Sequence, residues 1–159
     1  MSVQDCPFCK KLADLPALRE EDVVWSFPLG VAFLGPWQFY QGYCVLASRK
    51  HARELFDLTD EERKTYLEEM CLLARAIHHA FQPLKLNYEL LGNQVSHLHW
   101  HVFPRYGEDP DRLSPVWLNL ARAEQSPTIR ETLERGSLPR EEIRARIRQS
   151  LVALGAPSG

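Results

Sequence analysis

The sequence predicts one α+β domain, an antiparallel sheet with helices packed on it, from three observations. Short apolar, β-rich segments separated by Pro- and Gly-containing turns run through residues 23–47. A helical period of apolar residues begins after Thr59. A second such period begins near Pro139. At 159 residues the chain can bury one core without covalent staples. Its 45% apolar and 25% charged residues are the make-up of an ordinary globular domain.

From the N-terminus onward, Val23-Val24-Trp25-Ser26-Phe27 and Val31-Ala32-Phe33-Leu34 are short strands around the turn Pro28-Leu29-Gly30, and Gly35-Pro36 ends the pair. Gly42 to Ala47 is a further strand, rich in β-formers. Thr59-Asp60-Glu61-Glu62 has the form of a capping box. Tyr66, Met70, Leu73, Ile77 and Phe81 then recur at helical spacing, and Pro83 marks the stop. Leu86 to Leu91 and Leu98 to Phe103 are two more strands, with Gly92-Asn93-Gln94 as the turn between them. Gly107 to Asp111 is a loop, and Pro115 and Pro127 interrupt the segment beyond it. Pro139 opens the last helix, with Ile143, Ile147, Leu151 and Leu154 on one face.

Charge and cysteine usage exclude several function classes. A net charge of −2 gives no global pull toward nucleic acid or a membrane surface. The run Arg140, Arg144, Arg146 and Arg148 is interleaved with Glu141 and Glu142, as on a solvated helix face. No apolar stretch approaches the roughly 20 residues of a membrane span. Neither a nucleic acid polymer nor a membrane is therefore an expected partner. The N-terminal residues lack the charged start and apolar run of a signal peptide, which points to the cytoplasm. There a disulfide framework is not expected, and Cys6-Pro7-Phe8-Cys9 suits metal or redox chemistry. Cys44 and Cys71 are expected as buried core thiols.

The strongest chemical signal is His97-Leu98-His99-Trp100-His101. On a strand, alternate residues share a face, so one side carries three imidazoles and the other Leu98, Trp100 and Val102. A single metal held by all three histidines is strained, because His97 and His101 would have backbones about 13 Å apart. Nucleophilic catalysis fits better. A neutral imidazole attacks phosphorus with one nitrogen while the other keeps its proton on a fixed acceptor. The middle residue, His99, has a partner on either side, and His101 is placed to serve a phosphate or leaving-group oxygen.

Residues 97–103 match the pattern His-φ-His-φ-His-φ-φ, with φ apolar, and Gly92 to Ser96, Pro104-Arg105 and Gln41-Gly42-Tyr43 agree with its flanks. Over roughly residues 6–106 the chain thereby resembles the histidine triad (HIT) family, and most of all its bacterial diadenosine tetraphosphate hydrolase-like branch. The resemblance implies a five-stranded antiparallel sheet with a long helix and a C-terminal helix, usually in a homodimer. It implies a histidine triad domain over 1–106 and a C-terminal extension over 107–159 packed on it. It implies hydrolysis or transfer at the α-phosphate of a nucleotide conjugate, either a dinucleoside polyphosphate or a nucleoside phosphoramidate. His99 would be the residue that becomes nucleotidylated, with His101 assisting and Asn93, Gln94 and Ser96 at the phosphate. It also implies a structural zinc held by Cys6, Cys9, His51 and His97, with no organic cofactor. One position departs from the family: Gly35 stands where relatives commonly carry a ribose-binding Asn or Asp, so either another residue such as the nearby Gln38 takes over the ribose or sugar recognition is weaker or different. A nucleotide-binding sensor with little turnover is the alternative. Lesser candidates are Trp37 and Phe33 as purine-stacking rings and Arg105 as a contact for a distal phosphate.

Overall fold

The protein is described by a computed structural model covering residues 2–15 and 23–159. Five strands, β1 (Val23–Ser26), β2 (Gly30–Leu34), β3 (Cys44–Ser48), β4 (Lys85–Glu89) and β5 (His99–Arg105), form one sheet in the order β1-β2-β3-β5-β4. All neighbouring pairs are antiparallel. The helices are α1 (Pro7–Ala13), α2 (Asp60–Phe81), α3 (Val116–Gln125), α4 (Pro127–Glu134) and α5 (Arg140–Ala153), with a 3-10 turn over Leu55–Asp57. No helix of the described residues is long and apolar enough to cross a membrane.

The long helix starts and stops where the sequence signals it. Thr59 accepts the Glu62 N–H while the Glu62 side chain accepts the Thr59 N–H, closing both ends of a capping box. At the other end Gln82 takes the left-handed conformation one residue before Pro83. Three helices go beyond the expected pattern, and in each a proline lies at the start. Pro7 occupies the first turn of α1, Pro115 caps α3 and Pro127 opens α4. Pro115 and Pro127 therefore begin helices rather than interrupt them, because the first turn has no intrahelical acceptor for the N–H that proline lacks. Strand β5 likewise runs through Pro104. It is paired with β3 only as far as Val102, so Pro104 has a strand neighbour on one side alone.

Strand alternation divides the sheet into two working faces. Ala32, Leu34, Cys44, Leu46, Trp100 and Val102 point toward α2 and α5 in the main core, which includes the fully buried Ile143, Ile147 and Leu151. Val31, Phe33 and Ala47 face the other way against Phe8 and Leu12 of α1. Phe103 and Tyr43 join Val116, Leu120 and Leu133 from α3 and α4. The histidines of β5 lie on this second face, under helices from both ends of the chain. Of the two thiols expected in the core, Cys44 is fully buried but Cys71 is exposed. The buried stripe of α2 runs through Tyr66, Glu69, Leu73, Ala74, Ala76 and Ile77, and Cys71 lies off it. His78 and His79 are exposed in the last turn of α2.

Candidate active site and metal centre

The register β3–β5 sets the face that carries the histidines, with Ala47 opposite His99 and Val45 opposite His101. His99 is 7% exposed, and its Nδ1 lies 2.6 Å from the backbone carbonyl of His97. A carbonyl can only accept, so Nδ1 carries the proton and Nε2 is left with its lone pair. Burial lowers the His99 pKa below its ordinary value, against the pull of that carbonyl. The result is a neutral imidazole with a free nitrogen, the form a nucleophile needs. Phe8 of α1 covers the ring at 4.6 Å between centroids, and His101 meets it edge-on at 4.9 Å.

His101 is enclosed by aromatic rings. Tyr43 and Phe103 stack with it at 6.0 and 5.9 Å, and Trp117 of α3 stands perpendicular to it at 5.1 Å. Burial, helped by the neighbouring His99, pushes its pKa down to about 3, so this ring is also neutral near pH 7. Its Nδ1 is 2.7 Å from the Tyr43 hydroxyl.

His97 turns away from this pair. Its Nε2–H donates to the Ser48 carbonyl at 2.8 Å, which leaves the Nδ1 lone pair available to a metal. That nitrogen lies 3.4 Å from Cys6 Sγ, 3.6 Å from Cys9 Sγ and 3.3 Å from His51 Nδ1, and Cys9 Sγ is 3.1 Å from His51 Nδ1. All four ligand atoms fall within 4.8 Å of one another. Tetrahedral zinc with sulfur at about 2.3 Å and nitrogen at about 2.05 Å needs ligand–ligand edges of roughly 3.3–3.8 Å. The donor set and its spacing therefore fit the ion. Burial and the adjacent Cys6 raise the Cys9 thiol to about 11, so it stays protonated unless a cation supplies the opposing charge.

The remaining candidates separate. Asn93 and Gln94 are exposed on the loop before β5, and Ser96 accepts from Arg53 Nε at 2.8 Å on the same loop. Arg105 is not free to meet a phosphate. It is 3% exposed and bonded to Asp109, Asn87 and the carbonyls of Asp111 and Ser114, so it ties the loop after β5 to the sheet. Gln38 is not free to replace a ribose ligand either. Its amide donates to the Gly35 and Tyr43 carbonyls and accepts the Gly42 N–H. Phe33 is packed into the sheet face beneath α1 and is 3% exposed, so it offers no stacking surface. Three residues that shape the site, Phe8, Tyr43 and Trp117, are not among the candidates that the sequence supplies. Phe8 lies inside the Cys-x-x-Cys segment, and Tyr43 lies within the flank Gln41-Gly42-Tyr43. Trp117 is 16 residues beyond His101 and carries no local signal.

The chain is similar to known proteins in sequence and in fold. The model of the HIT domain matches residues 18–108. Protein hit of Bacillus subtilis is 33% identical over 120 residues, covering 72% of this chain and 79% of that protein. The adenosine 5′-monophosphoramidase of Schizosaccharomyces pombe is 26% identical over 106 residues, with 65% and 77% covered. A zinc-bound histidine triad family protein from Mycobacterium smegmatis superposes with a TM-score of 0.67 at 19% identity, over 97% of this chain and 98% of that one. The chain belongs to the histidine triad (HIT) family.

Proposed function

We propose that the protein is a nucleotide hydrolase or nucleotidyl transferase acting at the α-phosphate of a nucleoside phosphoramidate or dinucleoside polyphosphate. The observation that carries this is His99: a neutral ring, its proton committed to the His97 carbonyl and its Nε2 free beside His101. Nε2 forms a bond to the α-phosphorus as the bond to the leaving group breaks. Water then attacks the same phosphorus, releases the nucleoside monophosphate and restores His99. His101 donates a hydrogen bond to the phosphate or departing group, and Asn93, Gln94 and Ser96 supply further polar contacts from their loop. The phosphoramidase activity named for the fission-yeast relative agrees with this chemistry.

Cys6, Cys9, His51 and His97 hold a zinc ion whose role is structural, joining α1 to the start of β5. Thiolate-held zinc suits a reducing compartment such as the cytoplasm. Strand β4 is a sheet edge with exposed Leu84, Tyr88 and Leu91 on and beside it, and Cys71, Leu84 and Tyr88 line one depression against α2. A second copy of the chain covers this edge in the homodimer we propose.

The test is His99→Ala assayed on adenosine phosphoramidate and diadenosine polyphosphates. Wild type turns over at least one of them and forms a nucleotidyl adduct detectable by mass spectrometry, whereas the variant does neither. An active variant would remove the nucleophile assignment. Wild type that binds AMP in calorimetry but cleaves none of the conjugates would be a sensor instead.

A further inference from the structure

A neutral imidazole has one proton and two nitrogens, and His101 can face a phosphate usefully only if the proton is on the nitrogen pointing there. Tyr43 is the group in contact with the other nitrogen. Its hydroxyl sits 2.7 Å from His101 Nδ1, and the residue is 2% exposed. Among the described residues, that hydroxyl has no other hydrogen-bond partner. If Nδ1 carried the proton, the phenolic O–H would be a buried donor without an acceptor, which folded proteins avoid. If the phenol donates to Nδ1, both groups are satisfied and the His101 proton is on Nε2.

The phenol is held for this purpose by its packing. The ring stacks on Phe103 at 3.9 Å with an 8° interplanar angle. On its other side it fills the space above Gly35, where a Cβ would come within 2.2 Å of two ring carbons. Gln38 fixes the same loop from below by bonding to the carbonyls of both Gly35 and Tyr43. Burial also raises the Tyr43 pKa far above its usual value, so the hydroxyl keeps its proton.

We infer that Tyr43 is a positioning residue: its hydroxyl donates to His101 Nδ1, places the imidazole proton on Nε2, and so makes His101 a hydrogen-bond donor to the phosphate. Gly35 is the other half of the device, since any side chain there would displace the tyrosine ring. No proton leaves His101 in this role. The inference rests on the proposed attack by His99, because a donor matters only if phosphate is bound at that face.

The experiment is Tyr43→Phe, which keeps the ring and removes the hydroxyl. Nitrogen-15 NMR of the ring-labelled protein reads the His101 tautomer directly. Wild type should carry the proton on Nε2, and the variant should show a substantial Nδ1-protonated fraction. With a turned-over nucleotide conjugate, kcat should fall about tenfold or more while KM changes less than about threefold. A thermal midpoint close to wild type separates this from loss of fold. As a second variant, Gly35→Ala should produce the same tautomer change with the hydroxyl intact. A wild-type proton on Nδ1, or an unchanged tautomer in Tyr43→Phe, would overturn the inference. The NMR result is independent of turnover. Absence of activity in wild type counts against the proposed function, and an unmoved tautomer counts against Tyr43.

Discussion

The two histidines nearest the start of β5 are chemically distinguished by backbone carbonyls. Ser48 takes the Nε2 proton of His97 and thereby aims Nδ1 at the cysteines, while the His97 carbonyl takes the Nδ1 proton of His99 and frees Nε2. Identical side chains two residues apart thus present different free nitrogens, one suited to the proposed metal ligand and one to the proposed nucleophile. Glu69 shows the opposite case, a buried acid without full compensation. One of its oxygens accepts the Leu29 N–H at 2.8 Å, the other has no hydrogen-bond partner among the described residues, and burial raises its pKa to about 7. Between its unfolded value of 4.5 and about 7, the native state holds a proton that the unfolded chain has released. Stability contributed by this group is therefore complete below pH 4.5 and is lost as pH rises through 7. Glu69→Gln should match wild type near pH 4 and be more stable by about 3 kcal/mol at pH 8, as urea unfolding at the two pH values would measure. Equal stabilities at pH 8 would show that the ionised carboxylate is not penalised.

At the scale of elements, α1 matters more than its seven residues suggest. None of its own residues is buried, yet Cys6 at its N-cap is fully buried, Cys9 reaches His51, and Phe8 covers both His97 and His99. So short a helix has little intrinsic stability; Phe8 and Leu12 pack it on the sheet, and a metal held by Cys6 and Cys9 would fix its start there. Cys9→Ser should reduce bound zinc from about one per chain to near zero by elemental analysis. Because a structural zinc contributes to folding, it should lower the thermal midpoint by several degrees. The loss of the α1 lid should also increase amide exchange in β5. Zinc retained at the wild-type level would show that Cys9 is not a ligand. The Cys-x-x-Cys spacing and the triad were legible in the residues themselves, whereas the pairing of Cys9 with His51 came only from the family resemblance. Forty-two residues separate them, and only the pairing of β3 with β5 brings the loop after β3 to the start of β5.

Over the whole molecule, the sheet assigns structure to one face and chemistry to the other. The face toward α2 and α5 is a continuous apolar core. The opposite face carries the Cys6, Cys9, His51 and His97 cluster, the proposed nucleophile His99 and the aromatic rings around His101, with α1 at one end and α3 at the other. The C-terminal segment thus contributes on both sides: α5 to the core and Trp117 to the wall of His101. Strand β4 pairs with β5 on one side, Glu89 opposite His101, and its other side is an edge of the sheet. A homodimer through it predicts that Leu84→Glu combined with Tyr88→Lys gives a monomer by light scattering, with the zinc content unchanged. A double variant that still elutes and scatters as a dimer would place the interface elsewhere.

Periodicity and spacing in the sequence determined the α+β class, the long capped helix, the last amphipathic helix and the seven-residue triad. Each is written within a few residues, in side-chain alternation or cap chemistry. Tertiary structure alone decided which nitrogen of each histidine is free, since that depends on the Ser48 carbonyl of β3, the Tyr43 hydroxyl just before β3 and the His97 carbonyl in the bend before β5. It also decided against Arg105 as a phosphate contact and Gln38 as a ribose ligand, because buried polar side chains are claimed by the nearest unpaired backbone and acidic groups. Gly35 changed meaning in the same way. In the sequence it is a missing side chain, and in the fold it is the space that the Tyr43 ring occupies.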